Sequence, residues 1–234
     1  MASSPELIAF SSRTAMAARV ADLVEVALSR GIASDGAGDI AVSGGSTPNA
    51  LYENLAARAL SWDNVRLTLV DERWVPNDHP RSNERFVRGA FAQARGASIT
   101  GLYNGAETAE GGVADIAARL ANIGKPFDAV ILGMGDDGHT ASWFPRAEGL
   151  EAALDSDARV CAVTAQQSEI TGDEVKRMTL TLAAIKDARV IVLLLAGESK
   201  RATLEEALQV GPVEDMPVRA ILRARRDMWV CWAP

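Results

Sequence analysis

The chain has 234 residues, 48% of them apolar and 24% charged, and 31 acidic against 24 basic side chains leave a net charge of −7. That is enough sequence for one large domain or two small ones, and its ordinary globular composition excludes disordered, collagen-like and low-complexity classes. The acidic balance disfavours a general nucleic-acid surface, which needs a basic face, and leaves anion binding to places where basic residues gather locally.

A helix is predicted over Thr14–Arg30, with Met16, Val20, Leu23, Val24 and Ala27 on one stripe and Gly31 in the C-cap position. A strand at Asp39–Ser43 leads to a helix over Pro48–Leu60, and a strand at Val65–Val70 to a helix over Asn83–Arg95. A helix over Ala109–Asn122 precedes strands at Phe127–Leu132, Arg159–Thr164, Met178–Leu182 and Val190–Ala196. A helix over Glu198–Val210 and a strand at Met228–Trp232 complete the pattern. Several strands are apolar on consecutive positions, as in AVIL and VIVLLLA, which suits strands covered on both faces of a parallel sheet. Strand–helix alternation without repeat or linker predicts one Rossmann-like layered α/β domain over residues 1–234, with a mostly parallel central sheet flanked by helices.

Cys161 and Cys231 form no CxxC pair and read as buried thiols of a reducing compartment. The start, MASSPELIAF, lacks a basic segment followed by an apolar one, and the apolar run Val190–Ala196 is far short of the ~20 residues a membrane helix needs. A soluble, cytoplasmic, monomeric protein with no nucleic-acid or membrane partner is the expectation.

In an open α/β sheet, ligands bind beyond the carboxyl ends of the strands. Four strand ends carry chemistry. At Ser43-Gly44-Gly45-Ser46-Thr47-Pro48 the glycines allow close backbone approach, Ser46 or Thr47 can cap, and Pro48 fits the first helical position. The N–H groups of Gly44, Gly45, Ser46 and Thr47, with the helix dipole, then favour an anion such as phosphate. No Gly-Lys-Ser/Thr follows, so this is not a Walker A loop. At Asp71-Glu72-Arg73, charges directly after a strand are costly to bury unless paired or liganded. Arg73 can take a phosphate through two N–H groups, and Asp71 or Glu72 can orient an imidazole or a water. Arg81, Arg85 and Arg88 read as solvated loop residues, and His79, flanked by Asp78 and Pro80, as structural.

At Gly133-Met134-Gly135-Asp136-Asp137-Gly138-His139 the literal GxGxxG tempts a dinucleotide reading, but Pro145 arrives too early for the helix that fingerprint requires. The glycines instead form a tight turn presenting His139 as a general base, with Asp136 and Asp137 as turn residues. With no HExxH and no Cys/His cluster, nothing points to a metal. At Gly197-Glu198-Ser199-Lys200, a lysine near a helix N-terminus opposes the dipole, which suggests a compensating anion. Lys176 and Arg177 can reach the same rim.

Together SGGSTP (43–48), DERWVPNDHPRSN (71–83), GMGDDGHTASWFP (133–145), RMTLTL (177–182), GESK (197–200) and MPVRAIL (216–222) closely resemble the 6-phosphogluconolactonase family, in the family's order and over most of the chain. The resemblance implies the α/β fold shared with glucosamine-6-phosphate deaminases and ribose-5-phosphate isomerases. It implies cofactor-free hydrolysis of 6-phospho-glucono-1,5-lactone to 6-phosphogluconate, the second step of the oxidative pentose phosphate pathway. By matching positions, His139 resembles the base that activates water. Gly44, Gly45, Ser46, Arg73 and Lys200, with Arg177, resemble the phosphate contacts, and Asp71 the acidic residue beside the site. Two departures stand out: Trp143 where leucine is frequent, and Gly172-Asp173-Glu174-Val175-Lys176 where a proline-rich approach to Arg177 is usual.

An activated ester needs no nucleophilic Ser or Cys, and Ser142 lies in no GxSxG elbow. The enzymatic alternative, an amino-sugar-phosphate deaminase or isomerase, needs a further acid after the histidine loop, where this chain has no carboxylate until Glu148. A non-enzymatic sugar-phosphate sensor would be expected to carry a DNA-binding extension, whereas only a handful of residues precede the first element.

Overall fold

The computed structural model describes residues 5–124, 126–169 and 171–234. Ten strands and eight α-helices follow one another among those residues. The central sheet has seven strands, all parallel, in the order β1-β10-β9-β6-β2-β3-β5. In chain order these are β1 (Leu7–Ala9), β2 (Gly38–Val42), β3 (Val65–Leu69), β5 (Ser98–Thr100), β6 (Ala129–Leu132), β9 (Val190–Ala196) and β10 (Trp229–Ala233). Every residue of β2 and β6 is buried, as expected of strands sandwiched between layers, and the charge among them, Asp39 of β2, is paired with Arg66.

The predicted helices are present with shorter or longer bounds: α1 (Arg13–Asp35), α2 (Asn49–Ala56), α3 (Asn83–Ala90), α4 (Ala109–Arg119) and α7 (Glu198–Ala207). Ser12, Ser82 and Thr108 cap α1, α3 and α4 through their side-chain oxygens, satisfying N–H groups that a helix start leaves free. Gly31 does not end α1. The helix runs on to Asp35, Gly36 supplies the left-handed cap at φ 78°, and Gly31 lies buried under the Asp128 carboxylate. Val20, Val24 and Leu28 of α1 are fully buried in the core with Ile40 and Val42 of β2.

The sequence pattern did not separate two layers of sheet. β7 (Val160–Thr164) and β8 (Lys176–Leu180) are not central strands; with β4 (Asp71–Arg73) they form a separate antiparallel sheet, order β4-β8-β7. Asp71–Arg73 is therefore strand rather than loop. The second sheet leaves the central one directly after β3, separated from it by Val70 alone. Its register sets Arg73 opposite Arg177 and Asp71 opposite Thr179.

Strand order reverses direction between β2 and β6. The chain moves from β2 outward to β3 and β5, whereas β6 is followed on its other side by β9 and β10. That is the topological switch point at which open α/β sheets bind ligands. The loops leaving β2, β6 and β9 are the first, third and fourth segments singled out above, and β4 brings the second to the same end.

Candidate active site

A cleft of about 330 Å³ opens at this switch point, and it is lined by His139, Asp71, Gly44, Gly45, Ser46, Thr47, Arg73, Arg177 and Lys200. That volume lies at the small end of small-molecule sites. All nine residues singled out from the sequence are thus brought together, and Asn83, Ala141 and Phe144 join them.

The turn after β2 is held from behind by Tyr52 of α2, whose hydroxyl donates to the Ser43 carbonyl at 2.8 Å. Among the described residues, no protein acceptor takes the N–H groups of Gly44, Gly45, Ser46 and Thr47. Consecutive free N–H groups at a helix start make an anion cradle. Neither Ser46 nor Thr47 caps α2; Pro48 occupies the N-cap position without a side-chain bond, so the helix opens with its donors unspent. Gly44 answers to a neighbour as well as to a ligand, because a Cβ there would lie 2.0 Å from Oδ1 of Asn83.

Opposite the cradle stand the two arginines. Arg73 donates through Nη1 to the Arg81 carbonyl at 2.6 Å, while its Nε is buried without an acceptor among the described residues. Arg177 is 2% exposed. It donates to the carbonyls of Glu174 and Thr171 at 2.7 and 3.0 Å and lies 5.3 Å over the Phe144 ring. Burial pushes its guanidinium down to about 10; the nearby Asp71 counteracts this, and the charges of Arg73 and Arg81 add to it. Like charges paired across strands repel, so an anion between them would relieve both. Lys176, one residue earlier, is exposed and donates instead to Thr164, because side chains alternate along β8.

The imidazole is built into its turn. Nδ1 of His139 lies 2.6 Å from Oδ1 of Asp137, which also accepts the His139 backbone N–H at 3.1 Å. Burial raises the Asp137 carboxyl, but the bond to His139 and its charge outweigh this and hold it below the usual range. A carboxylate only accepts, so Nδ1 carries the proton and Nε2 is left as the basic atom. The ring face packs on Phe144, centroids 4.3 Å apart. Asp137 thus does more than make a turn: its carboxylate bonds the imidazole, a contact that neither Asp71 nor Glu72 makes. Its sequence signal was the two-residue spacing of Asp137 and His139 in a glycine-rich turn. Gly135 makes room for the pair, since a Cβ there would come within 2.1 Å of Nδ1. Gly135→Ala is expected to displace the ring and cut turnover ~10²-fold, the effect of about 1 Å of misplacement. Comparing kcat with product affinity, which should hold, checks this.

Asp71 is buried beside the cleft, where its Oδ2 accepts from the Ser142 hydroxyl at 2.6 Å and its Oδ1 from Asn83 Nδ2 at 3.2 Å. Ser142 is itself fully buried and spends its proton on Asp71. Glu72 points away from the cleft. Burial pushes its carboxyl up to about 7, against backbone N–H bonds from Asn83, Glu84 and Arg73 that lower it. Lys200 pairs with Asp136 at 3.0 Å, so a protein carboxylate already supplies negative charge beside this helix start. Arg81 and Arg88 pair with Glu174 and Glu84 away from the cleft, and Arg85 donates to the Asp78 carbonyl. After β6 no helix opens until α5 (Leu150–Asp155), so the GxGxxG match is not a dinucleotide fingerprint. Trp143 is fully buried and donates to the Leu180 carbonyl. Among the described residues, no group of three His, Cys, Asp or Glu side chains could hold a metal ion, and no helix is long and apolar enough to cross a membrane.

A parallel sheet with an imidazole and a run of free backbone N–H groups lining a cleft at its switch point is the layout of an α/β small-molecule site, and comparison with known proteins gives the family. The family described as "Glucosamine-6-phosphate isomerases/6-phosphogluconolactonase" matches residues 11–232, so the chain belongs to that family. It is 42% identical to the 6-phosphogluconolactonase of Rhizobium meliloti, covering 96% of this chain and 97% of that one. It is equally 42% identical to the 6-phosphogluconolactonase of Mesorhizobium japonicum, covering 97% and 94%. The crystal structure of a 6-phosphogluconolactonase from Shewanella baltica superposes with a TM-score of 0.92 at 38% identity, covering 98% of both chains.

Proposed function

We propose that this cleft hydrolyses 6-phospho-D-glucono-1,5-lactone to 6-phosphogluconate in the oxidative pentose phosphate pathway, with His139 as general base. The enzyme class, a hydrolase of a carboxylic ester, follows from the family and from relatives that share more than a third of the sequence. The mechanism rests on one observation: an imidazole with Nδ1 tied to Asp137 lines the same small cleft as an unspent run of backbone donors and a cross-strand arginine pair.

The substrate phosphate binds the N–H groups of Gly44, Gly45, Ser46 and Thr47, with Arg73, Arg177 and Lys200 completing the charge balance. That grip fixes the ring in register with His139. Nε2 takes a proton from water as the water oxygen attacks C1, and Asp137 stabilises the imidazolium that forms. A backbone N–H of the glycine-rich turn takes the oxyanion. The tetrahedral intermediate collapses with cleavage of the C1–O5 bond, and the imidazolium returns its proton to the departing O5. Asp71 stands beside the ring as a hydrogen-bond acceptor. Residues 1–234 act as one catalytic domain, a cytoplasmic monomer without a cofactor.

Deamination is disfavoured by the same geometry. The first carboxylate after the histidine loop, Glu148, pairs through its backbone with Thr164 and does not line the cleft. Purified protein is expected to release no ammonia from glucosamine 6-phosphate; release at a rate matching lactone hydrolysis would reverse the assignment. Arg73→Ala is expected to lower kcat/KM ~10–100-fold, mostly through KM, since a charge-assisted bond is worth roughly 1.5–3 kcal/mol. Unchanged KM and kcat would remove Arg73 from the site.

A further inference from the structure

Glu72 is the one acidic side chain of the Asp71-Glu72-Arg73 strand that the mechanism above does not use. It is fully buried, which is costly for a carboxyl group unless its oxygens are well bonded. Here they are. Oε1 accepts the backbone N–H of Arg73 at 2.8 Å and that of Asn83 at 2.7 Å. Oε2 accepts the Glu84 N–H at 2.7 Å and the Ser82 hydroxyl at 3.1 Å.

The division between the two oxygens is informative. Both oxygens serve the start of α3, Oε2 at the Glu84 N–H and Oε1 at that of Asn83, the first helical residue. Oε1 alone also takes the Arg73 N–H, and so bridges two residues that both line the cleft, at the two ends of the excursion 74–82. That excursion carries the Arg81 carbonyl, which holds Nη1 of Arg73. It ends at Asn83, whose side chain donates to the carbonyl and carboxylate of Asp71. The grip on Arg73 is therefore twofold, at its backbone through Glu72 and at its guanidinium through a loop that Glu72 closes.

We propose that Glu72 is the positioning residue of the phosphate subsite: its buried carboxylate closes the 74–82 loop and so sets where the Arg73 guanidinium meets the substrate phosphate. This rests on the assignment of Arg73 to phosphate, and the test separates the two. In Glu72→Gln a neutral amide oxygen replaces the carboxylate at the Arg73 and Asn83 N–H groups, so the charge-assisted bonds that close the loop fall to ordinary strength, while the amide nitrogen faces the Glu84 N–H, donor against donor. The loop is loosened without removing the side chain. Calorimetric titration with 6-phosphogluconate reports affinity and, through stoichiometry, the folded fraction. It is to be run on wild type, Glu72→Gln and Arg73→Ala, beside KM and kcat for the lactone.

The expected result is a 3–10-fold weaker Kd and a matching rise in KM for Glu72→Gln, at full stoichiometry and with kcat much less affected. Arg73→Ala should weaken Kd further, and the double variant should be no weaker than Arg73→Ala alone. Glu72→Gln with unchanged Kd, or with only lowered stoichiometry or melting temperature, would reduce Glu72 to a structural cap and overturn the proposal while leaving Arg73 in place. Unchanged Kd in Arg73→Ala would overturn the phosphate assignment and this proposal with it.

Discussion

Replacing His139 with alanine is expected to lower kcat ~10²–10⁴-fold, the usual worth of a positioned general base, while the affinity for 6-phosphogluconate stays within a few-fold of wild type. The asymmetry follows from the layout. The imidazole is carried by the loop after β6, whereas the free N–H groups belong to the turn after β2 and the arginines to the antiparallel sheet. Removing the ring leaves the anion-binding side intact. The other carboxylates lining the cleft are already engaged, Asp71 by Ser142 and Asn83, and Asp136 by Lys200. Because the lactone also hydrolyses spontaneously, the measurement is the enzyme-dependent rate above buffer. Turnover near wild type in the variant would remove His139 from its assigned role.

The second large effect is expected at Asp137, where two substitutions separate two contributions. Its Oδ1 accepts both the backbone N–H and Nδ1 of His139. In Asp137→Asn the amide oxygen can keep both bonds, so the ring holds its place and tautomer while the carboxylate charge beside the imidazolium is lost. A fall in kcat of about 10-fold is expected. In Asp137→Ala the orientation goes as well, and the fall should reach on the order of 10²-fold or more. Both remain short of the roughly 10⁴-fold seen when a buried triad carboxylate is changed, since Asp137 is only half-buried. Steady-state kinetics with calorimetric binding of the product tests this. Equal, small effects of the two substitutions would mean that the carboxylate is merely a turn residue.

The parts of this molecule legible in the sequence were those governed by local pattern. β6 and β9 are continuous apolar runs, and β2 carries the shorter run Ile40-Ala41-Val42, so all three were readable as strands of a buried sheet. The loops that follow them stood out together rather than singly: glycine and polar residues are ordinary at any one turn, but several such loops at the carboxyl ends of one sheet mark a ligand site. The three-residue edge strands β1 and β5 were not legible, since LIA and SIT carry too few positions to show a period. Nor was α8 (Val218–Ala224), which starts after Pro217 without a side-chain cap.

The larger omission was the second sheet. β8 (KRMTL) reads as one more strand, and nothing local says that it pairs antiparallel with Asp71–Arg73. That pairing is long-range, and it is what sets Arg177 across from Arg73. The segment before Arg177, residues 172–176, gives no hint of this, yet the strand register carries the side chain to the cleft. Asn83 reads as an ordinary helix start, and only the structure shows it bonded to Asp71. Asp137 was ambiguous for a physical reason: a carboxylate two residues before a histidine can bond the backbone, the ring or both, and here one oxygen does both.

The most direct test of the central claim is the decay of 6-phospho-glucono-1,5-lactone with purified protein, followed against an enzyme-free control. A rate that rises in proportion to protein, saturates with substrate and falls sharply for the lactone lacking the phosphate is the predicted result. Decay no faster than in buffer, or equal rates with and without the phosphate, would contradict it.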